Sequence, residues 1–479
     1  MNTKKRILDK LKSYIVGFIT LNLLLINFTL LINQQNDPNC IASNSYLNSS
    51  VYPKTASQQA EINIIWNKTY GGDFIDTAQS ITPSSLGGYA ISGWTNSSGA
   101  GDLDIWLLRI DDDGNHIWNK TLGTVEEDKG FEIINCSSGG FAVVAKVRNM
   151  THIHPNNEVS VIRIADNGNI IFHSNYSGPD QNSTSAIDDR GYSIVECPNG
   201  DFVIAGVTGT YVGASDVYLL RIGPNGLVKW ERTFHHWDNE RCFSPHSLVL
   251  CSDNGFAIAG YSYSAALSND VWLIRTDPAG IALWNKTYGV TSGYERPESL
   301  VQSDDGGFGI MANTQSFGAG GTDGWFIRTD AMGNQIWNQT YGGTEEDGFT
   351  KAILMSDGGF TLMGSTHSFD VGNGDAWIIR IDSNGDVLWE ETIGDPYGNG
   401  IASFLYLGNN TYIATGSTYS LGSMYQDLWV LKFYVSIEET IIPSNGIPGY
   451  NLWLYFASIL FSILFLGVIK KKIYKKNPN

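Results

Sequence analysis

Acidic and aromatic side chains gather in one recurring kind of segment, the loop that follows each copy of a tryptophan motif. Candidate ligand-binding residues in these loops are Asp73, Asp76, Glu126, Glu127, Asp128, His235, His236, Trp237, Asp238, Tyr294, Glu295, Glu345, Glu346, Asp347, Asp395 and Tyr397. Carboxylates attract cations and accept hydrogen bonds from hydroxyl groups, and aromatic rings offer flat apolar faces. The pattern favours an acidic, aromatic-lined binding site formed by these loops and suited to a cation or a sugar, although solvated loop acids are the commoner explanation.

One cluster of side chains has the chemistry of metal ligands. It contains His235, His236, Asp238, Glu240 and His246. Zinc requires three or four ligands that converge on one point, and adjacent histidines in an extended chain point to opposite sides. The sequence therefore predicts no metal site and no cofactor, with calcium left possible.

Sequence signatures of common enzymes are missing. The chain has no Gly-x-Ser-x-Gly nucleophile elbow, phosphate-binding loop or His-Glu-x-x-His zinc motif. A pair of loop carboxylates could still cleave a polysaccharide, because their separation decides that chemistry and sequence does not reveal it. Non-enzymatic binding is the first hypothesis, and a polysaccharide hydrolase or lyase and a structural envelope component are the alternatives.

The elements that position these loops repeat along the chain. Variants of the motif WNKTYGG begin at Trp66, Trp118, Phe172, Trp230, Trp284, Trp337 and Trp389, at intervals of 52 to 58 residues. Each unit contains a third strand, such as DIWLLRI at Asp104–Ile110, that is apolar on both faces. A sheet covered on both faces by copies of itself is a propeller blade. Seven third strands predict an all-β, seven-bladed propeller of four-stranded antiparallel blades.

The two ends of the repeat array predict how the ring closes. The last unit has no tryptophan motif after its third strand at Asp427, whereas Glu61–Thr69 supplies such a strand with no partners ahead of it. We therefore expect the N-terminal strand to complete the seventh blade.

Every third strand begins with an acid and carries a base five residues later. The acids are Asp104, Glu158, Asp216, Asp270, Asp323, Asp375 and Asp427, and the bases are Arg109, Arg163, Arg221, Arg275, Arg328, Arg380 and Lys432. A structural hydrogen bond reused in each blade is favoured over a ring of ligands. The repeated tryptophan is likewise predicted to pack between blades. Cys136, Cys197 and Cys251 occupy one position of successive units and are predicted to be buried thiols rather than disulfides.

Two terminal segments predict export and anchoring. Basic residues up to Lys12 precede the uncharged run Tyr14–Ile32, which is typical of a secretory signal or an uncleaved anchor. Leu452–Ile469 is an uncharged run followed by lysines, which place the tail in the cytoplasm. The predicted segments are a signal at 1–32, an unstructured spacer at 33–60, the propeller at 61–436, a linker at 437–449, a transmembrane helix at 450–469 and a basic tail at 470–479. The propeller is then expected on the extracellular face of the cell membrane.

The charge of the central region excludes one class of partner. Without the terminal segments the chain carries 20 basic and 47 acidic residues, a formal charge of −27. Such a body repels phosphate backbones, so nucleic acid is not expected to bind. Cations, extracellular proteins and glycans remain as partners.

The C-terminal region resembles the sorting signals of archaeal surface proteins. A Pro-Gly pair and an aromatic residue precede an apolar helix and a basic tail, with Tyr450 where the Pro-Gly-Phe type has phenylalanine. This resemblance covers only Pro448–Lys476. It implies that an archaeosortase-like enzyme exchanges the helix for a lipid; otherwise the helix itself is the anchor.

The repeats resemble the delta-60 and related β-propeller repeats of secreted prokaryotic proteins. The matching elements are SDGGF at Ser356–Phe360, DAW at Asp375–Trp377 and GNQIW at Gly333–Trp337. The resemblance covers about 374 residues. It implies a fold and almost nothing about function, because propellers host many unrelated activities.

Asn-x-Ser/Thr sequons recur on the strand that carries the tryptophan motif. Those at Asn67, Asn119, Asn285 and Asn338 fall on the predicted outermost strand of their blades. We expect these side chains to face solvent, where they are candidates for N-glycosylation.

Overall fold

The computed structural model describes residues 59–149, 156–178, 188–209, 215–235, 239–241, 244, 246–264, 268–290, 293–369, 372–394, 397–419 and 425–438. The predicted signal, nearly all of the spacer and linker, the transmembrane helix and the tail lie outside these residues, as do His236, Trp237, Asp238 and Asp395. No helix within the described ranges is long and apolar enough to cross a membrane. The chain divides into two units, 1–50 and 51–479, and all described residues belong to the second.

Seven sheets contain the strands of the described ranges, and each sheet has an inner, a second, a third and an outer strand. The inner strands are β2 (Asp76–Pro83), β6 (Lys129–Asn135), β10 (Arg190–Glu196), β14 with β15 (Asn239–Arg241 and Leu248–Leu250), β19 (Glu295–Gln302), β23 (Asp347–Leu354) and β27 (Asn399–Gly408). The second strands are β3 (Tyr89–Thr95), β7 (Phe141–Asn149), β11 (Phe202–Gly209), β16 (Phe256–Ser264), β20 (Phe308–Thr314), β24 (Phe360–Thr366) and β28 (Thr411–Thr418).

The third and outer strands complete each sheet. The third strands are β4 (Asp104–Ile110), β8 (Asn156–Ile164), β12 (Ser215–Ile222), β17 (Ser268–Thr276), β21 (Asp323–Thr329), β25 (Asp375–Ile381) and β29 (Asp427–Glu438). The outer strands are β5 (His116–Leu122), β9 (Ile170–Tyr176), β13 (Val228–Phe234), β18 (Ala282–Tyr288), β22 (Gln335–Tyr341), β26 (Val387–Ile393) and β1 (Gln59–Tyr70). We number the blades 1 to 7 in the order of their inner strands, so that blade 1 contains β2 and blade 7 contains β27.

The sheets form a closed ring. Each inner strand contacts the inner strands of both neighbouring blades, in the cycle β2, β6, β10, β15, β19, β23, β27 and back to β2. Neighbouring strands within every sheet are antiparallel. The predicted seven-bladed propeller of four-stranded antiparallel blades is therefore confirmed.

The N-terminal strand closes the ring, as its unpartnered tryptophan motif predicted. β1 pairs antiparallel with β29 from Gln59 opposite Glu438 to Tyr70 opposite Leu428. The sheet order β1, β29, β28, β27 makes β1 the outer strand of blade 7. No covalent bond joins the two ends of the described ring, so the pairing of β1 with β29 and the packing between blades 7 and 1 hold it shut.

The third strands form the interior of the molecule. β4, β21 and β25 are buried at every position. Their side chains pack with those of neighbouring blades, as where Trp106 of blade 1 shares a core cluster with Leu428 and Val430 of blade 7. The two apolar faces of these strands thus reflect burial between blades.

The repeated tryptophan packs against the next blade. Trp66 of blade 7 donates from Nε1 to the carbonyl of Asp112 in blade 1, at 3.2 Å. Gly114 in the same turn has a φ of 76°, and a Cβ there would lie 3.0 Å from the Trp66 ring. Each Gly-Asn-x-x-Trp element therefore makes contacts with two neighbouring blades. Its glycine packs against the tryptophan of the preceding blade, and its own tryptophan packs on the corresponding turn of the following blade.

The acids and bases of the third strands make structural hydrogen bonds. Asp323 Oδ2 accepts from the backbone NH of Ala319 at 2.8 Å. Arg328 donates from Nη2 to both carboxylate oxygens of Asp305, each at 2.7 Å. The bonds from Arg328 lower the pKa of Asp305. These contacts fix the turns at both ends of the third strand and support the structural interpretation of the sevenfold pattern.

Cys136, Cys197 and Cys251 are free and buried, as predicted. Burial raises the pKa of the Cys251 thiol to about 11. A thiol with so high a pKa holds little of the reactive thiolate at neutral pH.

Blade 4 departs from the repeat. Its inner strand is broken into β14 and β15, which both pair with β16. His246 lies just before β15 with a φ of 68°, a backbone conformation that is uncommon outside glycine. The break frees His246 from the strand ladder and turns it toward the ring centre.

Candidate functional site

The connections between strands emerge at two ends of the ring. Loops that lead from an outer strand to the next inner strand lie at the same end as loops that join second to third strands, because strands alternate in direction within a blade. We call this end the loop face. The opposite end carries tight hairpins, such as Ser84–Gly88 and Asp111–Asn115, and we call it the hairpin face.

Four of the predicted site residues are buried under the loop face. Asp76, Asp128, Glu295 and Asp347 begin or directly precede their inner strands and are almost completely covered. Burial raises the pKa of Asp128 and Glu295, each of which also lies near another acid. Their carboxylates are not available on the surface.

Asp347 shows what the buried acids do. Its Oδ2 accepts from the backbone NH of Gly343 and from Ser368 Oγ, both at 2.6 Å. Its Oδ1 accepts from Thr366 Oγ1 at 2.5 Å. Asp76 holds the corresponding loops of blade 1 through Gly72. One buried carboxylate thus ties two surface loops together.

Other predicted site residues are accessible, but some of their carboxylates already pair with lysines of the same surface. Asp73, Glu345 and Glu346 are exposed acids. Glu127 instead pairs with Lys129 at 2.7 Å and Lys146 at 2.9 Å. Although burial opposes the shift, hydrogen bonds from these two lysines lower the pKa of Glu127 to about 2. Glu127 and its half-buried neighbour Glu126 belong to an ion-pair region.

Exposed aromatic side chains occur on neighbouring loops at the loop face of blades 6, 7 and 1. They are Phe74, Phe369, Tyr397, Tyr419 and Tyr425. Tyr397 is the most exposed of them, at 63%. The rings of Phe74 and Tyr425 are 5.7 Å apart. We call these five residues the aromatic patch. Tyr294, at 45% exposure, lies apart from it on blade 5.

Backbone hydrogen bonds join the loops that carry the aromatic patch. The NH of His367 donates to the carbonyl of Glu346 at 3.0 Å, and that of Tyr419 donates to Gly398 at 3.3 Å. The NH of Asp76 donates to Gln426 at 2.8 Å. The patch therefore rests on interlocked loops, with exposed acids at Asp73 and Glu345–Glu346 beside it.

Sequence reasoning found only part of the aromatic patch. It identified Tyr397 and the neighbouring acids, but not Phe74, Phe369, Tyr419 or Tyr425. Three of these four lie in loops between second and third strands, whereas the sequence candidates all came from loops that follow the tryptophan motif. A search for aromatic residues in both sets of loops at this end would have found them.

The histidines that were considered as metal ligands lie apart in the described part of the chain. His235 pairs with Asp216, with Nδ1 and Oδ1 2.9 Å apart, whereas His246 lies in the ring centre against Glu132 at 2.6 Å. The described residues contain no group of three or more histidine, cysteine or acidic side chains arranged to hold a metal.

The sequon asparagines lie exposed on outer strands, as expected. Asn67, Asn285 and Asn338 each accept a hydrogen bond at Oδ1 from a tryptophan of the adjacent third strand, at 2.6, 3.2 and 3.0 Å. Asn119 is also exposed. Asn67, Asn285 and Asn338 therefore have a structural role that accounts for their repetition.

A shallow groove of about 340 Å³ lies at the hairpin face between blades 5 and 6. Asp305, Arg328 and Trp337 line it. Arg328 and Asp305 are hydrogen-bonded to each other, as described above. The groove therefore has fewer polar groups available for a ligand than the loop face does.

No protein-family model matches the sequence, and no curated protein matches it. Solved structures with a similar fold include a protein of unknown function from Dyadobacter fermentans, with 11% identity over 78% of this chain and 99% of that one and a TM-score of 0.47. Sqt1 from Chaetomium thermophilum, bound to the N-terminus of a ribosomal protein, has 13% identity over 78% and 100% of the two chains and a TM-score of 0.42. Polysaccharide lyase Uly1 has 8% identity over 76% and 90%, with a TM-score of 0.46. Similarity at this level concerns the propeller fold and not the function of this chain.

Proposed function

We infer that this protein is a surface-anchored propeller that binds an extracellular protein or glycan through the aromatic patch. The observation that carries the inference is the gathering of five exposed aromatic side chains on interlocked loops of three adjacent blades. Exposed apolar patches of this kind mark binding sites on soluble proteins. Tyrosine and phenylalanine are enriched in recognition surfaces because they bury much area with few rotatable bonds.

The charge around the patch indicates which chemical groups its partner presents. The exposed acids beside the aromatic rings suit a partner that presents basic groups or many hydroxyl groups. A body with a formal charge of −27 would also steer positively charged partners toward it. Calcium bound at the exposed acids would favour a glycan instead.

Localisation at the cell surface rests on the sequence patterns of the termini. The uncharged run Tyr14–Ile32 and the run Leu452–Ile469 with its lysines support export and anchoring. The resemblance to archaeal sorting signals supports exchange of the C-terminal helix for a lipid. The resemblance of the blades to delta-60 repeats agrees with a secreted protein.

A binding screen with residues 59–438, which contain every strand of the described ring, tests the proposal. Glycans and surface proteins would be assayed with and without calcium. Replacing Phe74, Tyr397 and Tyr425 together with alanine is expected to weaken binding at least about thirtyfold, since one well-placed aromatic anchor contributes about 2 kcal/mol.

The matched control removes exposed apolar side chains from the hairpin face. Leu86→Ala with Leu227→Ala truncates two residues that are more exposed than any patch residue, and it should leave affinity unchanged. Equal losses in the two variants, or no binding to any probe, would count against the aromatic patch as the site.

A further inference from the structure

The innermost position of each blade faces the axis of the ring. It follows a bulge in the inner strand, as at Ser299 and Ser403. Serine occupies this position in five blades, while Glu132 and Lys351 occupy it in blades 2 and 6. The two charged exceptions lie at the ring centre together with His246 of blade 4.

These groups form one hydrogen-bonded cluster across the ring centre. His246 Nδ1 is 2.6 Å from Glu132 Oε1, and His246 Nε2 is 3.0 Å from Ser403 Oγ. Lys351 Nζ donates to Ser403 Oγ at 3.2 Å. Glu132 is held in turn, because its Oε2 accepts from Ser193 Oγ at 2.6 Å and from the NH of Ile194 at 2.8 Å.

The charges of the cluster assign its protons. Burial and the neighbouring Lys351 ammonium lower the pKa of His246, so its imidazole is neutral at neutral pH. Glu132 accepts a hydrogen bond from Nδ1–H of this imidazole, which leaves the lone pair of Nε2 facing the hydroxyl of Ser403. A hydroxyl, an imidazole and a carboxylate in this order form the arrangement that activates a serine as a nucleophile.

The cluster keeps a small accessible surface at the ring centre. The side chains of Glu132 and His246 are each 10% exposed, and Lys351 is partly exposed, although all three lie deep in the ring. Ser403 itself is fully covered, and the groups that touch its hydroxyl are His246 and Lys351. Access of a substrate to this hydroxyl therefore requires displacement of the Lys351 side chain.

From this geometry we propose that Ser403, His246 and Glu132 form a serine acyl-transfer centre that hydrolyses small esters at the ring centre. Ser403 Oγ forms a bond to the acyl carbon while its proton passes to His246 Nε2. His246 gives that proton to the departing alcohol as the ester bond breaks. Water then attacks the acyl-enzyme, releases the carboxylic acid and restores the serine hydroxyl. The Lys351 ammonium stabilises the negative charge that develops on the carbonyl oxygen.

The ring supplies its own control for this proposal. Ser299 occupies the same position in blade 5, where its Oγ accepts from the backbone NH of Ala352 at 3.2 Å. No histidine of the described residues is hydrogen-bonded to it. Ser299 therefore shares the burial and strand position of Ser403 without the imidazole.

Labelling of the full-length protein with a small fluorophosphonate, followed by peptide mass spectrometry, tests the proposal. We expect an adduct on Ser403 and none on Ser299. Hydrolysis of p-nitrophenyl acetate should fall to the uncatalysed rate in Ser403→Ala and remain unchanged in Ser299→Ala. His246→Gln should slow labelling by about 10²- to 10⁴-fold, the usual contribution of a general base.

The pH profile separates catalysis from a structural role. Labelling should decline as pH falls through the protonation of His246, which faces Glu132 and Lys351, and this dependence should vanish in His246→Gln. An unlabelled Ser403, labelling of Ser299 to the same extent, or equal ester turnover in Ser403→Ala and the native protein would overturn the proposal. The result does not depend on the aromatic patch, so either proposal can fail alone.

Discussion

A chain that begins at Gly71 is expected to melt far below one that begins at Gln59. The shorter chain lacks β1, the outer strand of blade 7 that pairs along β29 from Gln59 to Tyr70. It also loses the contact of Trp66 with the Asp111–Asn115 turn of blade 1. The loss of one large aromatic side chain from a packed site already costs about 3–5 kcal/mol, and the exposed edge of β29 adds to it.

Thermal unfolding of the two chains checks this expectation, and a peptide provides its control. A synthetic peptide of Gln59–Tyr70 added to the shorter chain should raise the melting temperature, because β1 is held by pairing and not by a covalent link. A scrambled peptide should have no effect. Equal melting temperatures of the two chains would show that closure of the ring does not depend on β1.

The second large effect is expected at the ring centre, where His246→Ala should destabilise the protein by about 2–4 kcal/mol. The substitution leaves the carboxylate of Glu132 in the ring centre without the imidazole that it contacts at 2.6 Å. Denaturant unfolding at neutral pH measures the loss. Ser403→Ala, which keeps the bond between Glu132 and His246, should cost only about 1 kcal/mol.

The pH dependence of stability provides a check on the same residue. Because the folded-state pKa of His246 is lowered from its ordinary value of 6.5, the unfolded chain takes up the proton first as pH falls. This contribution to the free energy of unfolding is therefore complete above pH 6.5 and is lost as pH falls below it toward the folded-state pKa. His246→Gln should lack this loss. If the free energy of unfolding of this variant falls with pH as steeply as that of the native protein, groups other than His246 cause the dependence.

The repeat pattern carried enough information to predict the fold. Trp66 and its counterparts recur because each packs on a turn of the next blade, and this contact appears in the sequence as a fixed spacing between tryptophan and glycine. The lone strand ahead of the array likewise revealed the closure by β1. Fold prediction succeeded here because each blade repeats the same physical solution.

The candidate site was predicted less completely, because loop sequences do not reveal burial. Asp73 and Asp76 lie three residues apart, yet Asp73 is exposed and Asp76 is buried as a hydrogen-bond acceptor for the loops. His246 was grouped with His235 by proximity in sequence. The break in the inner strand of blade 4 and the φ of 68° at His246, which no local pattern announces, place it in the ring centre instead.

Hydrogen exchange of residues 59–438 with and without a bound partner tests recognition by the aromatic patch most directly. We predict slower exchange on binding in the loops around 71–75, 367–369, 397–398 and 425–426, which carry or adjoin the patch. The hairpins at 84–88 and 111–115 on the opposite face should exchange at unchanged rates. Protection confined to those hairpins or to the outer strands would contradict the account.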